Sequence, residues 1–227
     1  MISLSIIIPV FNEVKFIEKV LYKIDQLIID GSEKQIIIVD DGSNDGTIEV
    51  LQQIKLKNLC YQIIYNENNL GKAQAIKKGL QYANGECVAL VDADEEVDVS
   101  VIVEWLSSIK PEVDAVIGVR KYENIDNKFY FLGRYLLSVL FRKLFHTEVQ
   151  DPLVGLKLIR GPVIKSMELR SNGFEIDSEI IIRLINGGYK FEQKLIKYTP
   201  RNINEGKKIR FYHAIAILTF WFKEALK

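Results

Sequence analysis

The 227-residue chain has little of several things that would announce a function by themselves. It has two cysteines, Cys60 and Cys87. That is too few for a disulfide framework at this length, and a reducing compartment fits. Its two histidines, His146 and His213, show no metal spacing and no nucleophile partner, so both read as surface residues. Thirty basic and thirty acidic side chains leave a formal net charge of zero. No global field therefore favours nucleic acid, and any anion site must be local. No segment reaches the roughly 18 uninterrupted apolar residues of a membrane span. The stretch from Met1 to Pro9 lacks a basic leading region and reads as a first strand rather than a signal peptide. Two familiar phosphate motifs are missing as well. Pro9-Val10-Phe11-Asn12-Glu13 is not Gly-x-Gly-x-x-Gly, and Gly71-Lys72-Ala73 lacks the upstream glycine and the Ser or Thr of a Walker loop.

What is present is an apolar fraction of 48%, enough for a real core, with an ordinary charged fraction of 26%. Leu4 to Val10, Gln35 to Val39, Tyr61 to Tyr65, Glu86 to Val91 and Ala115 to Val119 are apolar runs without strict alternation, as in strands covered on both faces. Between them, Phe16, Ile17, Val20, Leu21 and Ile24 fall at helical spacing, with Asn12 available as a cap. Further helices are expected through about Ile54, from Ala73 to Leu80 with Asn84-Gly85 as terminator, and from Val101 to Ile109. This alternation with short connections predicts a doubly wound, mostly parallel α/β sheet. The second half changes character. A strongly apolar helix over Phe129 to Phe145 carries Arg134, Arg142 and Lys143. A helix over Ile180 to Ile185, a strand over Phe191 to Tyr198, a basic loop from Arg201 to Arg210 and an apolar helix over about Tyr212 to Leu226 come after it.

In such sheets ligands collect beyond the carboxyl ends of the strands. Four ends carry polar chemistry: Asn12-Glu13, Asp40-Asp41, Asp92-Ala93-Asp94 and Arg120. Asp92 and Asp94 are two apart, so on an extended chain their carboxylates share a face. Two carboxylates that close repel unless something positive lies between them. A divalent cation with oxygen ligands would resolve the repulsion and keep sites free for phosphate oxygens. Taken alone, the same pattern also describes a strand running into a solvated acidic turn.

Together these residues resemble family 2 glycosyltransferases of the GT-A fold. Ser5 to Glu13, Val39-Asp40-Asp41-Gly42-Ser43, Asn69-Leu70-Gly71-Lys72 and Asp92-Ala93-Asp94 stand in that family's order and spacing. Gly118 to Arg120, Arg134 with Ser138, Asp151 to Lys157, Gly173-Phe174 to Glu179, and Arg201 with Glu205 to Ile209 narrow the likeness to polyprenyl-phosphate sugar transferases. Dolichyl-phosphate mannosyl- and glucosyltransferases belong to that group. The resemblance implies a catalytic domain over residues 1–210 and a short apolar helix over 211–227. It implies transfer of a hexose from a nucleotide-diphosphate sugar to a polyprenyl phosphate, with Mg²⁺ or Mn²⁺.

By the same resemblance, Asp92 and Asp94 hold the metal, with Glu96 as third ligand or as an exposed acid. Pro9, Asn12, Glu13, Asp40, Asp41, Gly71, Lys72, Ala93, Arg201 and Lys208 face the donor. Gly71-Lys72 is also readable as a plain tight turn, and Arg201 with Lys207 and Lys208 as a solvated loop. Arg120, Arg134 and Ser138 hold the lipid phosphate, and Arg134 is alternatively a snorkelling arginine. Asp177 and Glu179 resemble acceptor-site acids without an assignable role. If the acceptor were a saccharide hydroxyl instead, a base would be needed, and Asp151 is the candidate. A non-catalytic nucleotide-sugar-binding regulator is the remaining reading. The helix over Phe129 to Phe145 is either core or a helix lying in a membrane interface. The expected setting is peripheral, on the cytoplasmic face of a membrane, with a membrane-protein partner possible and no nucleic acid.

Overall fold

A computed structural model describes residues 3–29, 34–57, 60–122, 128–201 and 211–227. Seven strands form one sheet in the order β3-β2-β1-β4-β6-β5-β7. They are β1 (Leu4–Val10), β2 (Lys34–Asp40), β3 (Tyr61–Tyr65), β4 (Cys87–Leu90), β5 (Ala115–Tyr122), β6 (Lys157–Arg160) and β7 (Phe191–Tyr198). All run parallel except β6, which pairs antiparallel with both β4 and β5. The helices are α1 (Ile17–Asp25), α2 (Thr47–Gln53), α3 (Lys72–Tyr82), α4 (Val101–Ser108), α5 (Lys128–Phe145), α6 (Gly161–Ser166), α7 (Ile176–Asn186) and α8 (Phe211–Ala225). The expected mostly parallel α/β sheet is the one found.

The core explains the unalternating strands. Ile6, Ile7 and Ile8 of β1 and Ile36, Ile37 and Ile38 of β2 are all fully buried, so neither sheet face meets water. Strand order reverses beside β1: β2 lies on one side and β4 on the other. A crevice opens at such a switch point, outside the carboxyl ends of the strands. It receives the ends of β1, β2 and β4, which carry Glu13, Asp40 and Asp92.

One expectation changes, and two elements are filled in. Asn12 does not cap α1. Its φ is 51°, its side-chain oxygen accepts the Asn44 N–H at 2.8 Å, and its own N–H donates to Ser43 Oγ. Phe16 takes the cap position without a side-chain bond. The segment from Lys157 onward is a strand and a short helix that periodicity does not reveal; Pro162 in the first turn of α6 is the available signal. And α5 is not a core helix along its length. Phe141 and Phe145 are buried, whereas Leu132, Tyr135 and Leu136 are each more than half exposed. Phe141 meets Trp221 of α8 edge-on, 4.9 Å between ring centres. Trp221 in turn donates to Ser178 of α7 at 2.8 Å. Among the described residues no helix is long and apolar enough to cross a membrane.

Candidate functional site

The crevice is built first by backbone. Asp41, one residue past β2, accepts the N–H groups of Leu70 (3.0 Å) and Gly71 (2.7 Å) and the Asn66 side-chain amide (2.8 Å). Those bonds fold the turn ahead of α3. Gly71 has φ 97°, and a Cβ there would strike the Asn172 carbonyl, so only glycine fits. Asp40 is fully buried and accepts from the Ser43 N–H and hydroxyl at 3.0 and 2.6 Å. Pro9 is aligned with Val39 on β2 and is only partly buried.

The turn delivers Lys72 into the middle of the site. Its ammonium lies 2.6 Å from Asp92 and 2.8 Å from Asp177 of α7. Asp177 is also 3.3 Å from Lys157, a fully buried lysine on β6 that donates as well to the Val154 carbonyl. Charges therefore alternate along Asp92, Lys72, Asp177 and Lys157. Burial works against the charge on Lys72, but Asp177 and Asp92 outweigh it and hold its pKa above the ordinary lysine range. For Lys157 burial dominates, with repulsion from Lys72, and its pKa falls. Asp92 is lowered despite burial, by Lys72 and then by Lys157 and Arg120. Gly155 makes room for this arrangement: a Cβ on it would occupy the space of the Asp92 carboxylate.

Asp94 behaves in the opposite way. Burial, then Asp92 and Glu96, push its pKa up to about 7, although Arg201 pulls it down. Arg201 reaches back to the residues just past β1. Its guanidinium lies 2.8 Å from Glu13 and 3.3 Å from Asp94, and over the Phe16 ring at 4.9 Å. Glu96 is held by β7 and by Arg201 beyond it. Its carboxylate accepts the Tyr198 hydroxyl at 2.7 Å and the Arg201 N–H at 3.0 Å. An open cleft of about 770 Å³ runs beside Asp94, between α1 and residues 94–100.

Arg120, whose charge also acts on Asp92, meets Asp151 in a two-bond fork, Nε and Nη2 each 2.7 Å from a carboxylate oxygen. Arg134 reaches the same carboxylate at 2.8 Å. Burial opposes the Asp151 charge, but Arg120 and then Arg134 hold its pKa well below the usual carboxylate range. Arg134 is lowered by burial and by Arg120. Ser138 donates to the Gln150 carbonyl at 2.6 Å.

Most of the residues singled out by sequence thus gather around one crevice, in an acidic half and an arginine half. Ala93 is buried between its acids. Lys207 and Lys208 lie outside the described residues. Glu179 serves the structure: it accepts the N–H groups of Arg170 and Ser171 and pairs with Arg183 at 2.8 Å. His146 is exposed, while His213 is partly covered and packs on Phe174. Sequence reasoning does not find Lys157, Tyr198 or Phe16 as parts of the site. A charged residue inside the apolar Leu156-Lys157-Leu158-Ile159 run is the one legible signal among them.

Among the described residues no three acidic, histidine or cysteine side chains converge as a metal cage. Asp92 and Asp94 nevertheless suit a hard divalent cation. Both are carboxylates, Asp94 carries surplus negative surroundings, and Mg²⁺ commonly takes one or two carboxylates with the rest of its shell from substrate phosphates.

Comparison with known proteins shows the family and the fold. Residues 5–164 match the pattern of Glycosyl transferase family 2. An uncharacterised protein of Methanocaldococcus jannaschii is 30% identical over 202 residues, 84% of this chain and 85% of that one. A dolichol-phosphate mannosyltransferase of Pyrococcus furiosus is 30% identical over 193 residues, 80% of this chain and 53% of that one. This chain therefore spans about half the length of the named transferase. The crystal structure of glucosyl-3-phosphoglycerate synthase from Mycobacterium tuberculosis with Mn²⁺ and UDP-glucose superposes with a TM-score of 0.70. The two are 20% identical, and the match covers 97% of this chain and 79% of that one.

Proposed function

The chain belongs to glycosyl transferase family 2, and from that premise we propose that it moves a hexose from a nucleotide-diphosphate sugar to a polyprenyl phosphate, inverting the anomeric carbon. The fold is GT-A, and the chain is a glycosyltransferase. The donor is of the UDP-glucose or GDP-mannose type. The observation that carries the acceptor assignment is the convergence of Arg120 and Arg134 on Asp151. Two largely covered guanidinium groups face this one carboxylate. Planar forks of this kind match phosphate oxygens. The dolichol phosphate in the name of the Pyrococcus relative offers the same phosphate chemistry.

An acceptor phosphate is already anionic at neutral pH and attacks the anomeric carbon without a general base. Asp151, acidified by its two arginines, is a poor proton acceptor. That favours the phosphate acceptor over a saccharide hydroxyl. In this reading Asp151 keeps Arg120 and Arg134 in place until the phosphate arrives, and Ser138 adds a hydroxyl beside them.

On the donor side, Pro9, Glu13, Asp40 and Asp41 form the nucleoside wall. Asp40 and Asp41 do so mainly by shaping their loops. Lys72, delivered by the turn ahead of α3, supplies the ammonium that meets the diphosphate. Asp92 and Asp94 would hold Mg²⁺ or Mn²⁺, which when bound neutralises charge on the departing diphosphate. Arg201 turns from Glu13 towards the phosphates. The chain's own share of the catalysis is positioning and electrostatic complementarity. The exposed apolar residues of α5, with Arg142 and Lys143 in its last turn, fit a peripheral place on the cytoplasmic face of a membrane, where a lipid acceptor is met.

The test is to incubate the protein and Mn²⁺ or Mg²⁺ with a panel of nucleotide sugars and a short polyprenyl phosphate, and to identify products by mass. A glycolipid one hexose heavier is expected. Turnover onto saccharide or phosphoglycerate hydroxyls alone rejects the acceptor.

A further inference from the structure

Glu95 lies between the two acids Asp94 and Glu96, and its backbone is left-handed, with φ 60°. Side chains with a Cβ resist this conformation; glycine and, less readily, asparagine adopt it. The conformation folds the acids together. The Glu96 N–H donates to Asp94 Oδ1 across Glu95 at 3.1 Å, which sets the direction of the Asp94 carboxylate.

The Glu95 side chain itself leaves the site and crosses the cleft to α1. One of its oxygens lies 2.6 Å from the Lys19 ammonium and 2.7 Å from that of Lys23. The two lysines are one helical turn apart, so a single carboxylate reaches both. The opposite flank of the turn is fastened to β7 and the residues after it. Thr199 donates to the Glu96 carbonyl at 2.9 Å, Tyr198 to the Glu96 carboxylate, and Val97 bridges Tyr198. The turn thus has two moorings, and the one on α1 consists of charge.

We propose that Glu95 is a positioning residue: with Lys19 and Lys23 it holds the left-handed turn that aims Asp94 at the donor phosphates and their cation. This rests on the donor reading above. Glu95 touches neither substrate nor reacting atoms; it acts through Asp94. The ion pairs offset the conformational cost of the turn, and the turn is where that cost would be released.

The test is a titration of the full chain with Mn²⁺ alone, with free Mn²⁺ measured by electron paramagnetic resonance. Glu95→Gln removes the pairs and keeps the backbone cost. It should weaken Mn²⁺ binding about fivefold, within what two partly solvated ion pairs supply. Glu95→Gly, which accepts positive φ without cost, should weaken it less. The decisive variant is Lys19→Met with Lys23→Met. If Glu95 acted only as a nearby negative charge, removing two cations would tighten Mn²⁺ binding. If it positions Asp94, removing them weakens binding, to the level of Glu95→Gln, and adds nothing when combined with it. Tighter or unchanged binding in the lysine variant overturns the inference and leaves the proposed function standing. A wild-type chain that binds no Mn²⁺ overturns the inference, and the donor reading is then decided by turnover with a nucleotide sugar.

Discussion

Asp151 and Arg120 are joined by two bonds of 2.7 Å each, and both side chains are nearly withdrawn from water. Breaking such a pair from one side leaves a buried charge without its partner. Asp151→Asn should therefore destabilise the fold by about 3 kcal/mol, because Arg120 and Arg134 would then face each other across an amide. Urea unfolding of the two proteins checks this. A loss under about 1 kcal/mol would place the pair among weak surface contacts.

The same pair sets an acid response. Folding depresses the Asp151 pKa, so the unfolded chain binds the proton more tightly. The stability contributed is complete above the unfolded carboxylate value of about 3.9. It falls away as pH drops through that value towards the folded one. Stability of the wild type should therefore decline more steeply below about pH 4 than that of Asp151→Asn, which lacks this proton. Unfolding free energies measured from pH 6 downward test it.

Arg134 separates the two substrates. Arg134→Ala should raise KM for polyprenyl phosphate about tenfold or more, the loss of a charge-assisted contact. KM for the nucleotide sugar should stay within about twofold on the same argument. Steady-state kinetics with each substrate varied in turn provide the comparison. Equal losses for both would reject the acceptor role.

Gly155 tests the packing beneath the acids. A Cβ there would enter the space of the Asp92 carboxylate. Gly155→Ala should cost about 1–3 kcal/mol as overpacking and lower kcat/KM by about tenfold or more as Asp92 leaves its place. Thermal unfolding and kinetics report the two parts separately. Wild-type activity would mean that Asp92 need not stay where it is.

Much of this is legible in the sequence because it is local. Strands β1 to β5 announce themselves as unalternating apolar runs, and a parallel sheet puts their polar ends on one edge. Asp40, Asp92 and Arg120 come from that geometry alone. The parts that are not legible depend on contacts between distant segments. Lys157 is buried because α7 brings Asp177 to it, twenty residues later. The antiparallel β6 is only four residues long and begins on that lysine, so its run is too short and too broken to stand out. Asn12 has a side chain that suits a helix cap, but the loop around Asn44 and Ser43 claims it first. Glu96 is expected from the family resemblance either as a third metal ligand or as an exposed acid, and the sequence has no sign that its carboxylate accepts from Tyr198 and Arg201.

The central claim is that the hexose ends on the phosphate of the acceptor. Phosphorus resonance spectroscopy of the product made from a nucleotide sugar, a short polyprenyl phosphate and Mn²⁺ tests this most directly. The acceptor signal should move from a phosphomonoester to a phosphodiester as turnover proceeds, with wild type but not with Asp94→Asn. A hexose transferred while the phosphomonoester signal persists would contradict the account.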